Sequence, residues 1–231
     1  MSKEVLGPDA VRFHTLGEAR VISCRLIVLA ALAVTWSQAI LAQTTGNSAR
    51  VGDQWTFNRK DEITGLLKDT YTVTVTEITP QQIVASIAVK GQDPIVAAYN
   101  HDWNQVAAGP WKYKPHAGPG IHLPLEMGKE WQFEYFENNA VTNAKIKVSN
   151  VTKVTGQEIV KTPAGTFAAF KVERQTKAFN VAAPSQLRDQ QIVLWYAPDA
   201  NHVIRRTVLT KIDKRTNSST SEELIAFSRK Q

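Results

Sequence analysis

The chain reads as all-β: antiparallel hairpins that form a curved sheet or half-barrel from two related units, with little helix. Three observations predict this. Strand-length segments alternate in polarity, as in Thr70–Thr79, where threonines alternate with Tyr71, Val73 and Val75. Such a period of two puts one face on a core and the other in solvent. Turn-forming clusters separate these segments: Pro80-Gln-Gln, Gly156-Gln-Glu, Pro163-Ala-Gly-Thr and Pro198-Asp-Ala-Asn201. Beyond residue 42 no segment holds a helical period over ten or more residues, and Ala178–Arg188 is the one place where a short helix fits.

Taken in order, Gly52-Asp-Gln-Trp-Thr-Phe57 opens a turn and sets Trp55 and Phe57 on one face of a first strand. The polar run Asn58–Glu62 leads to the Thr70–Thr79 strand, and Pro80 turns the chain into Ile83–Val89. A Gly/Pro-rich connection around His116–His122 precedes a strand with Trp131, Phe133 and Tyr135 at alternate positions. Phe167–Thr176 alternates, Gln191–Ala197 is an apolar run containing Trp195 and Tyr196, and Val203–Ile212 follows. Asp213–Ser221 reads as a polar hairpin loop before a last strand, Leu224–Phe227.

A repeat underlies this order. Residues 51–84 align with 127–160 without a gap, at nine identities in 34 positions, among them Gly52/Gly128, Trp55/Trp131 and Phe57/Phe133. Two related halves are therefore expected, about 50–125 and 126–229, within a single β-rich domain, 43–231.

Residues 1–42 have the character of an export leader. Arg25 precedes the apolar run Leu26–Trp36, and Ser37-Gln-Ala-Ile-Leu-Ala42 supplies small residues for cleavage after Ala42, or after Ala39. The working part is about 25–42; residues 1–20 lack apolar periodicity, and a later translation start is the alternative. The expected location is periplasmic or secreted. Polarity begins too early, at Thr35, for a span of about 20 apolar residues, so no membrane span is expected after cleavage. Cys24, the only cysteine, departs with the leader, which excludes a structural disulfide, a thiol nucleophile and a Cys-based metal site in the mature chain. The full chain has a formal charge of +6 and the leader accounts for +1. The remainder is modestly basic and diffuse, which favours anionic surfaces and gives no sign of nucleic-acid binding.

Three segments carry a family resemblance: Gly52-Asp-Gln-Trp-Thr-Phe57, Thr162-Pro-Ala-Gly-Thr-Phe-Ala-Ala-Phe-Lys-Val-Glu-Arg174, and Trp195-Tyr-Ala-Pro with Ile204-Arg-Arg206. Together they resemble a family of exported bacterial domains of unknown function with a Pro-Ala-Gly-Thr-Phe signature. The resemblance implies a half-barrel of long antiparallel strands, similar in architecture to periplasmic lipoprotein carriers. It supplies no mechanism.

No catalytic constellation stands out. There is no Gly-x-Ser-x-Gly elbow, phosphate loop or His-Glu-x-x-His. The expectation is a non-enzymatic protein without a cofactor or bound metal. His116 and His122, with Asp102 or Glu126, offer the one metal-hydrolase alternative. The aromatics Trp55, Phe57, Trp131, Phe133, Tyr135 and Trp195 are the candidate ligand-binding residues, for a lipid or other apolar ligand; the alternative is that they are core. Arg174, Lys177, Arg205, Arg206, Lys211, Lys214 and Arg215 would form a positive face if neighbouring. A structural or assembly module pairing its sheet edge with an envelope protein is the remaining alternative.

Overall fold

The computed structural model describes residues 49–116 and 120–230; the leader lies outside the described residues. Twelve strands follow one another: β1 Gln54–Asp61, β2 Leu67–Ile78, β3 Ile83–Val89, β4 Ile95–Tyr99, β5 Gln105–Ala108, β6 Trp111–Lys114, β7 Glu130–Asn139, β8 Lys145–Thr162, β9 Gly165–Asn180, β10 Ala183–Ala197, β11 His202–Ile212 and β12 Arg215–Ser228. Each pairs antiparallel with the next, and β1 pairs with β12. The expected all-β, hairpin-built sheet is present, and it curves past a half-barrel into a closed up-and-down barrel. The two strands that would be the free edges of an open sheet satisfy each other's backbone groups.

The wall is uneven. β4, β5 and β6 have only 5, 4 and 4 residues, whereas β8, β9 and β10 have 18, 16 and 15. β6 pairs only with Phe136–Asn139, so Glu130–Tyr135 of β7 has no β6 neighbour on that side.

The outer wall is charged. Lys147–Glu134, Lys153–Glu130 and Lys171–Glu173 form ion pairs at 3.3, 3.7 and 3.2 Å across β7, β8 and β9. A lipid-facing band would carry apolar residues at these positions. Inside, two apolar clusters fill one end. The larger gathers Trp55, Phe57, Tyr71, Val75, Phe167 and Ile204 with their neighbours. Its anchor is Trp55, fully buried, whose indole Nε1 donates to the Ala200 carbonyl at 2.9 Å. The smaller packs Ile121 and Leu125, from the 115–129 connection, against Val154, Phe170, Val172 and Leu194.

Several sequence expectations are corrected. Ala178–Arg188 is a β9–β10 hairpin, not a helix: Ala178 pairs with Arg188, and the Asn180 side chain accepts from the Ala182 N–H at 2.9 Å to hold the turn. The loop expected at Asp213–Ser221 shrinks to Asp213 and Lys214, both at positive φ, and Arg215–Ser221 are strand. Its polar side chains are tolerated because a strand in a hollow barrel can be wet on both faces. Gly156-Gln-Glu makes no turn; it is a bulge inside β8, where the register shifts between Val154 and Gly156.

The repeat is structural only in part. Gly52 and Gly128 both have positive φ, 89° and 81°. Gly52 N–H donates to Val75 O, and Gly128 N–H to Val154 O; Val75 N–H returns a bond to Asp53 O, and Val154 N–H to Lys129 O. Trp55 faces Val73 and Trp131 faces Thr152. The equivalent of Val75 is therefore Val154, three positions beyond the Val151 of the ungapped alignment. The Gly-Trp openings share one backbone bonding pattern, and the later identities do not follow it.

Candidate functional site

The chemistry-bearing side chains point into the barrel. On β7, β8 and β9 the register stacks three inward rows: Trp131–Thr152–Arg174, Phe133–Asn150–Thr176 and Tyr135–Val148–Ala178. On β10 they continue as Ile192, Gln190 and Arg188. Below lies the apolar floor of Val154, Val172, Leu194, Ile121 and Leu125. The grid is thus greasy underneath, polar at the middle and charged above, where Arg188 meets Glu137 at 3.4 Å.

Two members of this grid are not satisfied by protein. Asn150 is 4% exposed, and neither its amide nitrogen nor its amide oxygen has a protein partner. The buried indole Nε1 of Trp131 likewise has none. Buried polar groups are ordinarily paired, and each exception calls for a cause. Arg174 is more settled: its Nε donates to Thr152 Oγ1 at 3.1 Å and its guanidinium reaches Gly120 O at 3.5 Å. Burial pulls its pKa down to about 10, against an opposing pull from Tyr135, and Arg206 lowers it further. Burial, then Glu137, pushes the Tyr113 hydroxyl up to about 12 and raises Tyr135 as well.

A second polar cluster sits across the barrel. Glu222 accepts from Arg59 Nε at 3.0 Å, from Tyr71 Oη at 2.8 Å, and pairs with Arg206 at 2.5 Å. Desolvation acts to raise the Glu222 pKa, but Arg206, Tyr71 and Arg59 outweigh it and hold the carboxyl below its usual range. Arg206 is ringed by protein, yet its side chain is 42% accessible. That combination describes a group in a lumen rather than in a packed core. His202 lies close by, against the rings of Trp55, Phe57 and Trp103 at 4.9–5.5 Å.

The six candidate aromatics divide three ways. Trp55 and Phe57 are buried in the larger apolar cluster. Trp131, Phe133 and Tyr135 come together on the lumen side of β7, each partly exposed, with the His122 ring stacked on Trp131 at 5.0 Å. Trp195 is partly buried against the edge of the larger cluster, and its Nε1 donates to Glu158 while the Arg205 guanidinium stands 5.9 Å over its ring. The positive face also divides: Arg174 and Arg206 turn inward, while Arg205 pairs with Glu223 at 2.5 Å outside. Among the described residues, no three His, Cys, Asp or Glu side chains gather as a metal site requires.

Sequence reasoning missed Asn150, Thr152, Thr176 and Glu222, and it placed Arg174 and Arg206 on a positive face rather than inside the barrel. The signal was present in β8, where Val148, Asn150, Thr152 and Val154 share one phase. Two polar residues between two valines on a buried face mark a wet interior.

A family model described as a protein of unknown function, DUF3108, matches residues 121–216, a span that contains β7 to β11. Two solved structures are similar in fold. One is a Bacteroides fragilis protein assigned as exported, with a YmcC-like fold: TM-score 0.51, 17% identity, covering 79% of this chain and 98% of that one. The other is a Parabacteroides distasonis protein assigned as a lipoprotein: TM-score 0.50, 13% identity, covering 78% and 97%. No curated protein matches the chain.

Proposed function

We propose that this is an exported, non-enzymatic binding protein whose barrel lumen holds an amphipathic ligand. One observation carries the reading: the aromatic ladder Trp131–Phe133–Tyr135 faces the lumen beside a buried Asn150 whose amide has no protein partner. An apolar wall next to unsatisfied polar atoms is the lining an amphiphile needs. Access is supported by the stretch Glu130–Tyr135, which β6 does not cover. Export is supported by the leader and agrees with how the two similar structures are assigned.

The test is native mass spectrometry of the protein purified after export, with displacement of the apolar fluorophore N-phenyl-1-naphthylamine. A co-purified amphiphile, or saturable fluorophore binding weakened by Trp131→Ala, is expected. Absence of both would overturn the proposal.

A further inference from the structure

The lumen carries more than a general affinity for amphiphiles, because its unsatisfied groups have a defined chemistry. Trp131 offers one indole N–H, which can only donate. Asn150 offers two amide hydrogens and one carbonyl oxygen, all without protein partners. Arg174 lies on the next strand, paired to the Thr152 that separates it from Trp131. Residues two apart on a strand lie about 7 Å apart and directly opposed residues about 5 Å, so these donors surround one small volume.

The two open donor groups, on adjacent strands, fit an acceptor with several lone pairs, and the Arg174 guanidinium on the third strand adds positive charge beside them. We infer that Trp131, Asn150 and Arg174 receive an oxyanion, a carboxylate or phosphate, carried as the polar head of the ligand. The inference rests on the amphiphile reading above and specifies its head group. Nearby carboxylates do not compete for this place: Glu222 is held by Arg59, Arg206 and Tyr71, and Glu137 by Arg188. The low Arg174 pKa fits the same picture, since a cation in a desolvated setting gains from an added anion. The Asn150 carbonyl would accept from a protonated head oxygen, as a phosphate monoanion offers.

The experiment measures binding of oleate, oleyl alcohol and inorganic phosphate to the exported protein, to Asn150→Leu and to Trp131→Phe. Asn150→Leu keeps a branched side chain and Trp131→Phe keeps an aromatic ring, both remove polar atoms, and a thermal melt of each variant shows that it is folded. Oleate should bind at least tenfold more tightly than oleyl alcohol, and each variant should weaken oleate fivefold or more while leaving the alcohol unchanged. Phosphate competing with oleate would support the site as a general oxyanion cradle. If phosphate binds, depends on Asn150, and neither lipid binds, the oxyanion site stands and the amphiphile reading falls. If oleate and oleyl alcohol bind alike and neither variant changes that, the site holds only water and the inference is overturned while the amphiphile reading survives. Binding of none of the three would overturn both.

Discussion

Replacing Glu222 by Gln should cost far more stability than a surface charge would. Glu222 is 7% exposed and holds two arginines and a tyrosine hydroxyl. Gln keeps the shape and one acceptor but removes the charge, leaving Arg59 and Arg206 without their shared anion. Breaking a fully buried pair costs about 3–5 kcal/mol, and breaking an exposed one about 0–1. Arg206 is 42% accessible to the lumen and Arg59 32%, so water relieves part of the loss. About 2–3 kcal/mol is expected. With a urea dependence of about 2 kcal/mol per molar, the unfolding midpoint followed by tryptophan fluorescence should fall by about 1–1.5 M. Arg206→Met added to Glu222→Gln should cost less than the two changes summed, because it removes the stranded cation. A loss under about 0.5 kcal/mol for Glu222→Gln, or strict additivity in the double variant, would refute the reasoning.

Two further outcomes follow from the packed end of the barrel. Burial lowers the His202 pKa to about 4, only partly offset by its bond to the Val203 carbonyl, with Arg206 lowering it further and Glu222 opposing. The unfolded chain, with an ordinary value near 6.5, therefore binds more protons between these limits. His202 thus contributes stability that is full above about pH 6.5 and is lost as pH falls toward 4, by about 2 kcal/mol after allowing for its partial exposure. His202→Gln should flatten denaturation midpoints between pH 6.5 and 4.5, a window above the range where Glu222 takes up its proton. Trp55→Phe should lose about 2 kcal/mol, from an orphaned Ala200 carbonyl plus a small void, whereas Trp195→Phe, only partly buried and bonded to a carboxylate that water can still reach, should lose about 1. Equal losses at the two tryptophans in chemical denaturation would contradict the assigned burial.

How legible the protein was depended on the phase of each strand. Where alternation was clean, as at Thr70–Thr79, the strand and its buried face were readable, and Tyr71, Val73 and Val75 are buried as the pattern requires. Closure was not readable, because it depends on pairing Gln54 with Ser228 and no local pattern encodes that match. The hairpins at 181–182 and 213–214 were obscured for opposite reasons. The first is rich in alanine, which suits a helix; the second is followed by Thr216–Ser221, whose hydroxyls suit a loop. The candidate site was only half visible. Trp131, Phe133 and Tyr135 stood out because aromatics are rare, while Asn150 and Arg174 looked like surface residues until the register showed which way they face.

The closure of β12 onto β1 also bears on timing. Arg59 and Glu222, which meet across that seam, are 163 positions apart in the chain. Pairings between such distant segments form slowly, since the intervening chain must first be ordered. Of the twelve strands of the barrel, β12 is synthesised after the others, and it completes the wall. Until it arrives, the β1 edge stays open and the chain has no finished barrel to fold into.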